Sequence, residues 1–182
     1  MAHYKRAVEL EPLNLNANDN LAAEYMTSKQ FDQAIEQSKK NLEIDPNYAS
    51  AHSLLSNAYR FKGQYELWLE EWEKAGRLSN DSENLALVEA AKREYPKSGY
   101  RCAMKRVVAL GEEQAKRIYI DPTGIAGEYA ILGEKNQAFV WLEKAYAEKS
   151  GFLTGLKGDP RFDALRSDPR YADLLKRLVL PQ

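Results

Sequence analysis

The sequence predicts an all-α, right-handed helical repeat array closed by a C-terminal capping helix, on three observations. Leu21 and Leu55, Tyr25 and Tyr59, Phe31 and Tyr65, and Pro12 and Pro46 each stand 34 residues apart, and self-similarity at that period marks stacked helical hairpins. One such unit cannot bury its apolar face alone, so neighbours must stack on it. The 182 residues are 44% hydrophobic and 29% charged, an ordinary composition for a folded domain with a continuous core. Near the end, Tyr171, Leu174, Leu175 and Leu178 recur at i, i+3, i+4 and i+7, with Asp173, Lys176 and Arg177 outside the stripe. A helix with one apolar stripe is what the last unit needs as a cover.

Residues 1–12 place Tyr4, Ala7 and Pro12 34 positions ahead of Ser38, Asn41 and Pro46, and so read as the second helix of an incomplete unit. Two expectations fit that segment: a degenerate capping helix, or a piece of a longer array. Four units fill residues 13–152. The first covers 15–48, with helices at about 15–28 and 31–43. Asn14 or Asn16 can cap its first helix, and Asp45-Pro46 stops its second, because the residue before proline is pushed out of helical space. The second covers 49–82 and keeps Leu55, Ser56, Tyr59, Gly63, Tyr65, Trp72 and Ala75 in register. Trp68 follows Ala34 by 34 positions, so an indole replaces a methyl group and should fill a locally widened core. His52 falls at a bulky place that packs into the neighbouring helix.

The third unit, about 83–118, drifts, since Ala34 to Ala103 is 69 positions and Ala103 to Ala138 is 35. Its first helix is expected from Ser82 to Glu94, ended by Tyr95-Pro96. The second, about 98–118, carries Tyr100, Ala103, Val107 and Leu110 at helical spacing and should be the longest. The fourth, 119–152, recovers the pattern with Ile125, Ala126, Tyr129, Gly133, Ala138, Leu142 and Ala145. Asp121-Pro122 reads as an N-cap with proline at the first helical position. Gly124 and Gly127 weaken that helix by roughly 1 kcal/mol each relative to alanine, and leave room for a neighbour. In the cap, 153–182, Asp159-Pro160-Arg161-Phe162 and Asp168-Pro169-Arg170-Tyr171 stand nine positions apart. Each opens a helix, the first of them brief.

Asn18, Leu21, Ala22, Tyr25, Ala34, Ser38 and Pro46 occupy the pattern places of a tetratricopeptide repeat, which the first unit resembles. The stretch from Tyr119 through Leu132-Gly133-Glu134-Lys135 and Trp141-Leu142-Glu143-Lys144-Ala145-Tyr146 to the doubled Asp-Pro-Arg and Leu180-Pro181 resembles a second group. It is similar to the C-terminal repeat region of large bacterial regulators, where such a region follows a winged-helix DNA-binding domain or a serine/threonine kinase domain. Neither domain lies in this chain, so neither activity is carried over.

The repeat resemblance implies a scaffold whose first helices line a concave face. The places pointing into it are Asn16, Asp19, Asn20, Ala23, Met26 and Thr27, then Ser50, Ser53, Leu54, Asn57, Arg60 and Phe61, with Asn84, Val88 and Tyr95 approximately from the third unit. Asn16, Asn20, Asn57, Arg60, Phe61 and Asn84 are the peptide-groove candidates, because an amide offers both donor and acceptor to an extended backbone. Asn16 and Asn20 can also be read as residues that only cap and solvate a helix end. Relatives that dock a terminal carboxylate use inward cations, and Asp19, Ala23, Leu54, Asn84 and Val88 supply none. The implied partner is an extended, largely uncharged peptide or a partner protein. The alternative is a structural or sensory arm of a multidomain bacterial regulator, acting mainly by self-association through the N-terminal edge around Tyr4, Val8 and Leu10.

Chemistry of other kinds finds little support. The net charge of -1 lacks the basic footprint of a nucleic-acid binder. Only His3 and His52 are histidines, too few for a metal site or for acid/base catalysis with a partnered imidazole. Cys102 is the single cysteine, expected as a buried inert thiol, and it excludes an intramolecular disulfide. Glu70-Glu71 and Glu112-Glu113 read as solvated helix faces. No catalytic, cofactor-binding or metal residues are expected, no enzyme activity, and no membrane span. The expected setting is cytoplasmic.

Overall fold

The computed structural model describes residues 1–178, whose regular elements are all helices, with no strand among them. In order these are α1 Ala2–Leu10, α2 Leu15–Thr27, α3 Phe31–Ile44, α4 Ala49–Phe61, α5 Tyr65–Leu78 and α6 Ser82–Ala115. There follow α7 Pro122–Ile131, α8 Lys135–Ala147, the 3-10 helices η1 Gly151–Gly155 and η2 Pro160–Leu165, and α9 Pro169–Leu178. Consecutive helices pack as pairs, α2 with α3, α4 with α5 and α7 with α8, while α3 also packs on α4. The fold is the tetratricopeptide-like helical repeat array that the period predicts. Leu180 and Pro181 lie outside the described residues. By packing, the chain divides into two compact units, Met1–Arg93 and the residues from Glu94 onward.

Within Met1–Arg93, small residues set how closely helices approach. Ala22 on α2, Ala34 on α3, and Ala51 and Ala58 on α4 are fully buried, and a methyl group lets two backbones come together where a larger side chain would hold them apart. Trp68 stands at the Ala34 place of α5 and is 2% exposed. Its ring stacks on Trp72 at 5.4 Å between centroids and meets Tyr65 edge-on at 6.3 Å, so the indole is core filler, as expected. Between α2 and α3 the packing is partly polar. Asn18 donates to the Pro12 and Asn14 carbonyls at 2.9 Å each, accepts from Gln37, and Asn41 donates to the Leu15 carbonyl at 3.3 Å.

The helical turns repeat at the level of single bonds. Lys29, Gly63 and Gly133 all have positive φ after a first helix. In each case the following N–H donates back to a tyrosine carbonyl: Gln30 to Tyr25 at 2.8 Å, Gln64 to Tyr59 at 2.9 Å and Glu134 to Tyr129 at 2.9 Å. That 6→1 bond satisfies a carbonyl left open at a helix end. Asn14, rather than Asn16, caps α2, accepting from the Ala17 N–H at 3.1 Å.

The third unit departs from expectation. The helix runs through Tyr95-Pro96 and breaks at Gly99, with φ 76° and ψ 179°. Pro96 removes one N–H and its ring crowds the carbonyl four residues back, but its fixed φ is helical, so the non-helical residue is Gly99, in a region open essentially to glycine alone. The Ser98 hydroxyl closes the turn before the break by donating to the Glu94 carbonyl at 3.2 Å. The segment after Gly99 ends at Ala115, short of the expected 118, and is no longer than the one before it. Cys102 is exposed, contrary to expectation. The buried stripe of this segment is Ala103, Met104, Val107 and Val108, and position 102 falls outside it.

Within the compact unit that begins at Glu94, α7, α8, the 3-10 helices and α9 share an apolar cluster. Ala126 and Ala130 of α7, Phe139 and Leu142 of α8, Leu153 and Leu156, Phe162 and Leu165, and Tyr171 and Leu174 of α9 all contribute. Tyr171 and Leu174 are buried while Leu175 and Leu178 pack against the cluster at its margin. Each Asp-Pro opens a helix as predicted: Asp121 accepts from the Thr123 N–H, Asp159 from the Arg161 N–H and Asp168 from the Arg170 N–H. A Cβ on Gly127 would lie 3.0–3.1 Å from the Arg161 guanidinium and its stem, so the room left by that glycine is taken by a side chain of η2.

Candidate functional site

The candidate residues of the first two repeats lie where α2 and α4 pack side by side. Two hydrogen bonds join their N-terminal turns: Ser50 Oγ donates to Asp19 Oδ2 at 2.7 Å, and Tyr48 OH to Asn16 Oδ1 at 3.5 Å. The other Asp19 oxygen is buried and has no hydrogen-bond partner. Burial pushes the Asp19 carboxyl above the usual carboxylate range, with the Ser50 bond working against it. One turn on, Asn20 of α2 is exposed, as are Ser53 and Asn57 of α4. Amides one and two turns along two adjacent helices thus face solvent, beside a carboxylate that is partly withdrawn from it.

The remaining candidates sit differently. Arg60 is only 8% exposed and lies over the Trp68 ring at 5.4 Å, so its guanidinium is part of the α4–α5 packing. Phe61 is half-buried, stacked on Phe31 at 5.2 Å with the rings 4° from parallel. Asn84 accepts from the Trp72 indole N–H at 2.7 Å, which turns its amide toward α5. Val88 is fully buried. The large indole at position 68 draws Arg60 inward, a contact between helices that spacing along one helix does not reveal.

Other polar groups acquire partners that sequence reasoning missed. His52 is buried, with Nδ1 2.5 Å from Glu71 Oε2 and Nε2 3.1 Å from the Pro46 carbonyl. Glu71 is also buried and pairs with Lys74 at 2.7 Å, so it is no solvated face. Glu112 is half-buried and accepts from Tyr129 OH at 2.7 Å and the Trp141 indole N–H at 3.2 Å. Burial, and then the Glu112 carboxylate, pushes the Tyr129 hydroxyl up. The only signal was a tyrosine and a tryptophan on neighbouring helices. Among the described residues there is no group of three or more His, Cys, Asp or Glu placed to hold a metal ion, and no helix is long and apolar enough to cross a membrane.

This arrangement is a helical repeat array in which exposed amides stand on two adjacent helices. Residues 15–48 match the family model for the tetratricopeptide repeat, the same bounds as the first unit. Two curated relatives carry that repeat in their names. The Small glutamine-rich tetratricopeptide repeat-containing protein 2 of Saccharomyces cerevisiae is 32% identical over 92 residues, covering 50% of this chain and 25% of that protein. Its namesake from Mycosarcoma maydis is 32% identical over 91 residues, covering 50% and 26%. The matched stretch therefore spans about a quarter of the length of the relatives.

Proposed function

We propose that this protein is an interaction scaffold that holds an extended, largely uncharged peptide of a partner protein along α2 and α4. The observation that carries the reading is the exposure of three amides on two helices that pack together, Asn16 and Asn20 on α2 and Asn57 on α4. Each amide can pair with a backbone N–H and C=O at once. Net gains of about 0.5–1.5 kcal/mol per hydrogen bond place the affinity nearer micromolar than nanomolar. Arg60 is tied to Trp68 and Asp19 is acidic, so the face offers no open cation for a carboxylate. Titration with labelled peptides tests this. An uncharged extended peptide should bind, with loss in the double variant Asn20→Ala, Asn57→Ala, whereas tight binding of an acidic C-terminal peptide would refute the groove.

A second reading rests on α1. None of its residues is buried, and Tyr4, Leu10 and the following Leu13 are 40%, 65% and 75% exposed. Apolar area of that kind is covered by association, which suits an arm that acts through self-association, as in a multidomain regulator.

A further inference from the structure

The compact unit that begins at Glu94 carries an open recess of its own, remote in sequence from the exposed amides. Tyr119, in the segment between α6 and α7, and Phe152, in η1, are 73% and 71% exposed. Among the described residues of this unit no other large hydrophobic side chain is as open. Both line one recess of about 370 Å³, together with Asp121, Glu148, Lys149 and the Ser150-Gly151 segment. A Cβ built on Gly151 meets nothing within 4 Å, so the recess is not closed there.

Asp121 fixes the two loops that form it. One oxygen caps α7 through the Thr123 N–H at 2.9 Å, and the other accepts from Ser150 Oγ at 2.6 Å and Tyr119 OH at 3.4 Å. Burial opposes ionisation of Asp121, yet the bonds from Ser150 and Thr123 prevail and hold its carboxyl below the usual range. The Asp121 and Glu148 carboxyl groups both line the recess beside the Tyr119 side chain. Glu148 has only a loose pairing, at 3.9 Å, with Lys144. The lining thus holds two carboxylates against the one ammonium of Lys149, beside two open aromatic side chains.

That combination suits a planar cation. A guanidinium is weakly hydrated, stacks on aromatic faces and forks onto carboxylates. We propose that the recess between Tyr119 and Phe152 docks an arginine side chain of a partner protein. Glu148 supplies the counter-charge, and Lys149 competes for it.

The test uses the full chain and capped tripeptides, acetyl-Gly-Arg-Gly-amide and its citrulline, lysine and glutamate counterparts, followed by backbone amide shifts in NMR. The arginine peptide should move Tyr119, Gly151 and Phe152, more weakly as salt is raised. Phe152→Ala and Glu148→Gln should each weaken it by about two- to five-fold, the scale of an exposed cation–π contact. Lys149→Ala should tighten it, a gain that a merely structural role for this loop would not give. The Asn20→Ala, Asn57→Ala variant should bind it unchanged. An equal response to citrulline would show an apolar recess, an equal response to lysine would remove the guanidinium assignment, and preference for glutamate would assign the site to Lys149. Each of those, or shifts confined to other residues, overturns the proposal.

Discussion

At the scale of single residues, polar groups that a pattern treats as surface are drawn into packing. Asp19 has one oxygen on Ser50 and the other buried without a partner, and burial raises its carboxyl pKa. An acid whose folded pKa lies above its unfolded value costs stability once it is ionised. The cost is absent below about pH 3.8, grows as pH rises through the raised pKa, and is fully present at neutral pH. Asp19→Asn should therefore raise the melting temperature at pH 7, with the difference from the parent shrinking toward pH 4. A variant that melts alike at both pH values would show that the withdrawn carboxylate carries no strain. Asn18, Gln37 and Asn41 make the same point from the other side. Nothing in three amides announces a buried ladder, because a side chain's partners across a helix pair depend on how the pair is set, not on its own spacing.

At the scale of elements, two devices decide where helices stop and how the last one is held. Gly99 breaks α6 with a backbone conformation costly for any residue with a side chain, although a Cβ there would touch nothing. Gly99→Ala should accordingly destabilise by about 1–3 kcal/mol, read by chemical denaturation; a neutral result would mean that the break is set elsewhere. The start of α9 is held by ionic bonds. Arg170 forks onto Asp168 at 3.0 and 2.8 Å, reaches Asn136 Oδ1 at 3.0 Å and lies over the Phe139 ring at 4.1 Å. The Arg170 bond is the largest cause that lowers the Asp168 carboxyl to about 2. A depressed acid stabilises above its unfolded value of 3.8 and loses that contribution as pH falls toward about 2. Acid titration of helicity should show a loss in that window that Asp168→Asn flattens.

At the scale of the whole molecule, the exposed apolar residues are unevenly spread. Leu10 and Leu13 stand near the N-terminal edge, at 65% and 75% exposure, and burying a leucine contributes about 1.5–3 kcal/mol. Sedimentation at rising concentration should show association that Leu10→Lys with Leu13→Lys abolishes. A strict monomer at high concentration would sink the self-association reading and leave the exposed amides as the main contact surface.

The sequence by itself determined the helical pairs of the first two units and the fourth. The 34-residue spacing of Tyr25 and Tyr59, the alanines at 22 and 34, and the Asp-Pro starts are local signals, each acting within a turn or two of its own position. The stripe from Tyr171 to Leu178 was equally legible, since one apolar face on a helix has only one side to bury. Tertiary structure alone decided that Arg60 lies over Trp68, that Glu71 meets His52, and that Glu112 takes both Tyr129 and Trp141. It also decided that Tyr119 and Phe152 line one recess, 33 residues apart in the chain. Periodicity tells which side of a helix faces a neighbour, but which groups meet is fixed by the distance and rotation between two helices, and that geometry is set by packing over the whole pair.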